Sequence, residues 1–105
     1  MSTLPTMSKN LPLELPLFEE GAMLMRAINN ELRQEILAYL HKHGRLKVYE
    51  IYKGLQMEQT VVSLHLGILR QAQIVNAKRD GQSIYYSINY DRLQLVQQKL
   101  HEMFK

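Results

Sequence analysis

The chain is 105 residues long, enough for one domain with a modest core and too short for two. Its 46% hydrophobic and 22% charged residues are ordinary for a globular protein, and the lack of cysteine excludes disulfides, thiolate metal sites and cysteine nucleophiles together. The net charge of +3 is unevenly placed: residues 36–90 hold seven basic side chains against three acidic ones, so the excess lies where a polyanion could be met.

Residues 1–16 carry all three prolines, which argues against a helix there, and Leu11, Leu13, Leu15 and Leu17 alternate along it. A Pro/Leu-rich N-terminal arm is therefore expected over 1–16, ahead of a domain over 17–105. No apolar run is long enough to span a membrane, and the first residues lack a basic region followed by an apolar block. A cytoplasmic protein with no membrane partner is the expectation.

From Phe18 to about Asn30, Ala22, Met25 and Ile28 share one face, predicting a first helix. A second runs from about Glu31 to His43 on Leu32, Ile36, Leu37 and Leu40, and Gly44 stands where a left-handed cap would close it. A short third helix is expected from Tyr49 to about Leu55, a fourth from Gln59 to about Ala72, and a fifth from Asp91 onward. Between the last two, Val75–Arg79 and Ser83–Asn89 read as strands joined by Asp80-Gly81, a pair that tolerates positive φ in a tight turn.

The fourth helix carries chemistry. At 100° per residue Val62, Leu66 and Leu69 form an apolar stripe, widened by Val61, His65, Ile68 and Ala72. Gln59, Thr60, Ser63, Gly67, Arg70 and Gln71 lie opposite, with Leu64 at the edge. That face is uncharged toward its start and made of groups that donate and accept hydrogen bonds, as reading base edges in a major groove requires. A three-residue turn, Gln56 to Glu58, separates it from the third helix, the spacing of a helix-turn-helix. A small helical bundle with a polar outer face would look similar. The hairpin shifts the balance, because Lys78 and Arg79 make a basic tip beside Asp80-Gly81-Gln82. Helix-turn-helix plus basic hairpin is the winged-helix arrangement, mainly α with a β-hairpin wing.

Here the sequence resembles the ArsR/SmtB group of bacterial winged-helix repressors, over about residues 20–104. The likeness rests on "SLHL" (Ser63 to Leu66), "LR" (Leu69, Arg70), "IV" (Ile74, Val75), "KRDGQ" (Lys78 to Gln82) and "YSI" (Tyr86 to Ile88), in that order. The resemblance implies a homodimer on double-stranded DNA, with helices at both ends of the chain forming the interface. It assigns Gln59, Thr60, Ser63 and Leu64 to base edges, and Arg79 and Gln82, beside Lys78, to the wing contact. His65 matches the motif's histidine, yet the wheel puts it beside the core, which favours a structural role. Leu64 stands where a polar residue is usual, and Gln73 where glycine commonly closes the helix. A left-handed Gln73 would cost roughly 1 kcal/mol. Leu93, Val96, Leu100 and Met103 recur at three- and four-residue spacing along the fifth helix and are the expected dimer seam, while Leu95 and Phe104 form a second face that needs its own cover.

Many members of that group release DNA on binding metal, and the positions that would ligate it hold Tyr90, Arg92 and Met103 here. No metal or cofactor is expected, and the inducing signal stays unassigned. Ser63 and His65 lie about 200° apart on a helix, too far to form a nucleophile and base, and no other enzymatic constellation is present. The competing reading is a winged-helix protein-interaction module, which would want a more apolar, less basic face; Leu64 is the one residue favouring it.

Overall fold

A computed structural model describes residues 15–103. In chain order they form α1 (Leu15–Ile28), α2 (Glu31–His43), β1 (Arg45–Lys47), α3 (Val48–Leu55), α4 (Gln59–Gln71), β2 (Val75–Asp80), β3 (Ser83–Ile88) and α5 (Tyr90–Met103). The arm expected over 1–16 lies outside the described residues as far as position 14. Its last two residues open α1, three residues earlier than the apolar pattern indicated. Pro16 is tolerated there because the first turn of a helix has no intrahelical use for its N–H groups.

Local chemistry sets the element ends. Asn30, with extended backbone, accepts a hydrogen bond from the Arg33 N–H at 3.0 Å on its Oδ1 and so caps α2. Gly44 closes the same helix with φ of 89°, and its N–H reaches the Leu40 carbonyl at 2.7 Å. The carboxylate of Glu50 accepts from the Lys47 N–H at 2.9 Å at the start of α3. Asn89 performs three tasks where α5 begins. Its Oδ1 takes the Arg92 N–H at 3.1 Å, its Nδ2 donates to the Gln73 carbonyl at 3.1 Å, and its N–H donates to Ile74 at 2.8 Å.

Two turns are closed by left-handed glutamines, Gln56 with φ of 55° and Gln73 with φ of 63°. Beyond each, an N–H bonds back five residues, Met57 to Tyr52 at 3.0 Å and Ile74 to Leu69 at 2.9 Å, the six-to-one closure of a Schellman turn. The strain anticipated at Gln73 is therefore present, with the same arrangement inside the helix-turn-helix itself.

The three strands form one antiparallel sheet in the order β1-β3-β2. Two expectations need correction. No element is expected over "RLK", the segment between the second and third helices. It is a strand whose Leu46 pairs opposite Tyr86, inward-facing between two outward basic residues. Three residues hold too little alternation to stand out in a sequence. The hairpin also closes one residue later than expected: Asp80 pairs with Ser83, and Gly81-Gln82 is the two-residue loop. Only Gly81 of the Asp80-Gly81 pair has positive φ, 66°. Glycine at the first loop position is the pattern of a type II′ turn, whose twist suits a hairpin. Asp80 instead accepts a 2.9 Å bond from the Arg45 guanidinium, which lies 4.0 Å over the Tyr85 ring. That ion pair is exposed and contributes little, about 0.2–1 kcal/mol.

The core draws on every element. Leu24 and Ala27 come from α1, Ile36 and Leu40 from α2, Leu46 from β1, and Ile51 from α3. Val62, Leu66 and Leu69 of α4 pack with Val75 and Ile88 of the wing strands and Val96 of α5. Full burial of each large apolar side chain contributes about 1.5–3 kcal/mol. No helix of the described residues is long and apolar enough to cross a membrane.

Replacing Gln73 by glycine relieves the left-handed strain and should raise stability by about 1 kcal/mol. Leu66→Ala opens a cavity under α4 and should cost about 2–5 kcal/mol. Chemical denaturation of the two variants measures both; a destabilised Gln73→Gly would show that the glutamine side chain contributes more than its backbone costs.

Candidate nucleic-acid interface

α4 has one face committed to the core. Val62, Leu66 and Leu69 are fully buried, and Val61, His65 and Ile68 are half-buried beside them. Gln59, Thr60, Ser63, Leu64, Gly67, Arg70 and Gln71 are exposed. This is the partition that the helical wheel predicts, residue by residue. Among the base-facing candidates, Gln59, Thr60, Ser63 and Leu64 therefore share one outward surface. Leu64 is 63% exposed, much for a leucine in a chain with this many buried ones.

The start of α4 carries a negative charge that disfavours phosphate. Glu58 is its N-cap residue and makes no side-chain capping bond. Its exposed carboxylate opposes an anion there with an energy of the same order as the helix-end attraction, about 0.3–1 kcal/mol. Uncharged base edges suit that end better.

On the hairpin, Lys78, Arg79 and Gln82 are all exposed. Lys78 pairs opposite Tyr85 and Arg79 opposite Ile84, so alternation sends the two cations to opposite faces of the ribbon. The sequence, which presents them as adjacent, hides this. Lys78 lies on the face of Arg45, Lys47 and Tyr85; Arg79 lies on the face of Ile84 and Tyr86.

His65 is held from inside the chain. Its Nδ1 lies 3.1 Å from Nη1 of Arg33, which fits an acceptor nitrogen facing a guanidinium donor. The same guanidinium donates to the carbonyl of Ala27 at 2.6 Å and that of Arg26 at 3.1 Å. Arg33 thus joins the last turn of α1 to the middle of α4, and no sequence pattern announced it. Burial, and then the positive charge of Arg33, hold the His65 imidazole below its ordinary pKa.

A second clasp lies at the other end of α4. Arg92 on α5 donates from Nε to the Ala72 carbonyl at 3.1 Å, and its Nη1 lies 3.5 Å from the Glu20 carboxylate of α1. Lys99 donates to the same carboxylate oxygen. The Lys99 hydrogen bond, partly opposed by desolvation and assisted by both positive charges, keeps Glu20 below its ordinary pKa. Arg92 occupies a position where the family resemblance would put a metal ligand, and a guanidinium engaged in this way does not fit a cation. His41 meets the Tyr90 hydroxyl at 2.8 Å, and His43 packs tilted against Tyr39 with ring centroids 4.4 Å apart. Among the described residues no three His, Asp or Glu side chains converge.

The expected seam residues of α5 that the structure describes, Leu93, Val96 and Leu100, all lie against the core. Val96 is only 3% exposed and belongs to its own subunit's core, with Leu93 and Leu100 half-buried against it. Leu95 is 38% exposed and Met25 of α1 is 42% exposed. The Met103 side chain and Phe104 lie outside the described residues.

Comparison with known proteins follows the same lines. Residues 30–105 match the penicillinase repressor family. The chain is 28% identical over 100 residues to the transcriptional activator HlyU of Vibrio cholerae, covering 91% of this chain and 92% of that protein. It is 34% identical over 76 residues to the transcriptional repressor PagR of Bacillus anthracis, covering 72% and 76%. The crystal structure of PagR matches with a TM-score of 0.68 at 32% identity, over 80% of this chain and 97% of that one. A possible ArsR-family regulator from Mycobacterium bovis, described as a homodimeric winged helix-turn-helix DNA-binding domain, matches with a TM-score of 0.70 at 30% identity, over 77% and 75%.

The lowered pKa of His65 has a pH consequence. A group with a depressed folded-state pKa stabilises the fold above its unfolded value, 6.5 here, and that contribution is lost as pH falls through the folded value. Stability should therefore drop between neutral and mildly acidic pH, before the carboxylates titrate. His65→Gln should flatten that segment of the pH profile in thermal melts. An unchanged profile would mean that His65 is not the responsible group.

Proposed function

Because this chain belongs to the penicillinase-repressor family of winged-helix transcriptional regulators, with ArsR-type regulators among its relatives, we propose that it is a dimeric cytoplasmic repressor. It reads an inverted-repeat operator through α4. The observation that carries the reading is the outward face of α4, where Gln59, Thr60 and Ser63 offer uncharged donors and acceptors next to Leu64. Glutamine can address a base bidentately, serine and threonine can address any base, and leucine suits a thymine methyl. The exposed Lys78, Arg79 and Gln82 of the wing take the flanking backbone or minor groove. With both half-sites occupied, bound protein occludes the promoter.

Two copies are needed for an inverted repeat, and the terminal helices are the surface that fits a second one. Leu95 and Met25 are partly bare apolar side chains on α5 and α1. Leu93 and Leu100 border the core that underlies them, and Val96 acts from inside its own subunit. Leu64 alone favours a protein partner for α4, and the polar, uncharged neighbours around it favour DNA. Relatives named both activator and repressor share the fold, consistent with the operator's position setting the sign of regulation. The relatives are transcriptional regulators rather than enzymes.

Half-sites should lie about 10–10.5 bp apart or a multiple of that, as successive major grooves on one side of the duplex require. If a dimer neutralises about 6–10 phosphates, affinity should fall roughly 10³–10⁵-fold between 50 and 200 mM salt. Ser63→Ala and Gln59→Ala should each lose about 1–3 kcal/mol of discrimination between operator and scrambled duplex, whereas Arg79→Ala should weaken both duplexes alike. Fluorescence anisotropy on a fragment selected from genomic DNA measures all of these; binding indifferent to salt and to sequence would contradict the proposal.

The dimer has its own test. Leu95→Asp places a carboxylate in the proposed seam and should yield a folded monomer whose operator affinity falls at least tenfold. Light scattering checks it, and a variant still dimeric with full affinity would place the seam elsewhere.

A further inference from the structure

Nothing among the described residues requires Gly67 to be glycine. Gly44 and Gly81 have positive φ, and a Cβ on Gly54 would run into the Tyr39 ring. Gly67 lies within α4 with ordinary helical backbone, is exposed, and a Cβ there would meet nothing within 4 Å. Glycine in a helix interior is disfavoured because the unfolded chain has more backbone freedom to lose and no side chain compensates. At an open site alanine would be accepted and would stabilise the helix. Nothing among the described residues accounts for the bare position.

We propose that Gly67 is a specificity-determining residue: it keeps the α4 backbone uncovered so that a DNA strand can approach within reach of Thr60 and Ser63. The inference rests on the reading of α4 as the DNA-recognition helix. Thr60, Ser63, Leu64 and Gly67 stand three and four residues apart and so line one edge of the helix. Helical side chains lean toward the N-terminus, so a side chain at 67 would spread over Ser63 and Leu64. Ser63 carries its hydroxyl one bond beyond Cβ, and it can meet a base edge only where the groove comes close to the helix backbone. Even a methyl group at 67 holds the DNA back, and a larger side chain holds it back further. The loss falls on base reading, which requires that approach, more than on the long, flexible cations of the wing.

The test uses Gly67→Ala and Gly67→Leu in the full chain, with the fragment selected by the wild-type protein and a scrambled duplex as probes. Gly67→Ala should raise the thermal midpoint by roughly 3–8 °C, as a glycine-to-alanine change in an exposed helix does in a domain of this size. It should nevertheless weaken operator binding at least tenfold, with Gly67→Leu weaker again and scrambled-duplex affinity little changed. A more stable Gly67→Ala that binds the operator as tightly as wild type overturns the proposal. So does a less stable one, since the glycine would then serve the fold. A wild-type protein that binds both duplexes equally defeats the DNA reading first, and with it this inference, an outcome distinct from either variant result.

Discussion

The rotation of α4 about its own axis is the constraint on which the rest depends. A helix can present its polar side to a partner only if the other side is fixed, and here Val62, Leu66 and Leu69 are sealed in the core while Gln59, Thr60, Ser63 and Leu64 stand outside. Turning the helix by one residue, about 100°, would expose a leucine and bury a glutamine without partners. Each error costs about 1–3 kcal/mol, and together they approach much of a small domain's stability. Hydrophobic burial therefore selects which residues stand outward, the ones proposed to meet DNA.

Two arginines add direction to that constraint. Arg33 connects the end of α1 to His65 in the middle of α4, and Arg92 connects α5 and Glu20 of α1 to the carbonyl of Ala72 just beyond α4. Backbone carbonyls and the His65 imidazole accept from these guanidinium groups. The terminal helices proposed for the dimer seam are thus tied by hydrogen bonds to the recognition helix at two points.

Most of the fold was legible because its signals are periodic or chemically specific. The α4 wheel sorted buried from exposed positions correctly, and α2 matched at both ends because Gly44 supplies a stop. The left-handed Gln73 was visible as a non-glycine at a glycine position. Missed features had weak or misleading signals. β1 is three residues long, and Leu46 alone does not make an alternation. Asp80-Gly81 looked like the turn pair, but the register moved the turn to Gly81-Gln82 and gave Asp80 to Arg45. Val96 fitted the helical spacing of a seam, yet periodicity gives a face and not what covers it. Arg33 and Arg92 act over 32 and 20 residues of sequence separation, beyond any local pattern.

Backbone amide shifts on titration with the selected operator fragment test the central claim most directly. The account predicts that perturbations concentrate at Gln59, Thr60, Ser63, Leu64 and Gly67 and at the wing from Lys78 to Gln82, saturating together at one dimer per operator. Perturbations centred on α5 or on the outer side of α2, with the exposed face of α4 unmoved, would contradict it.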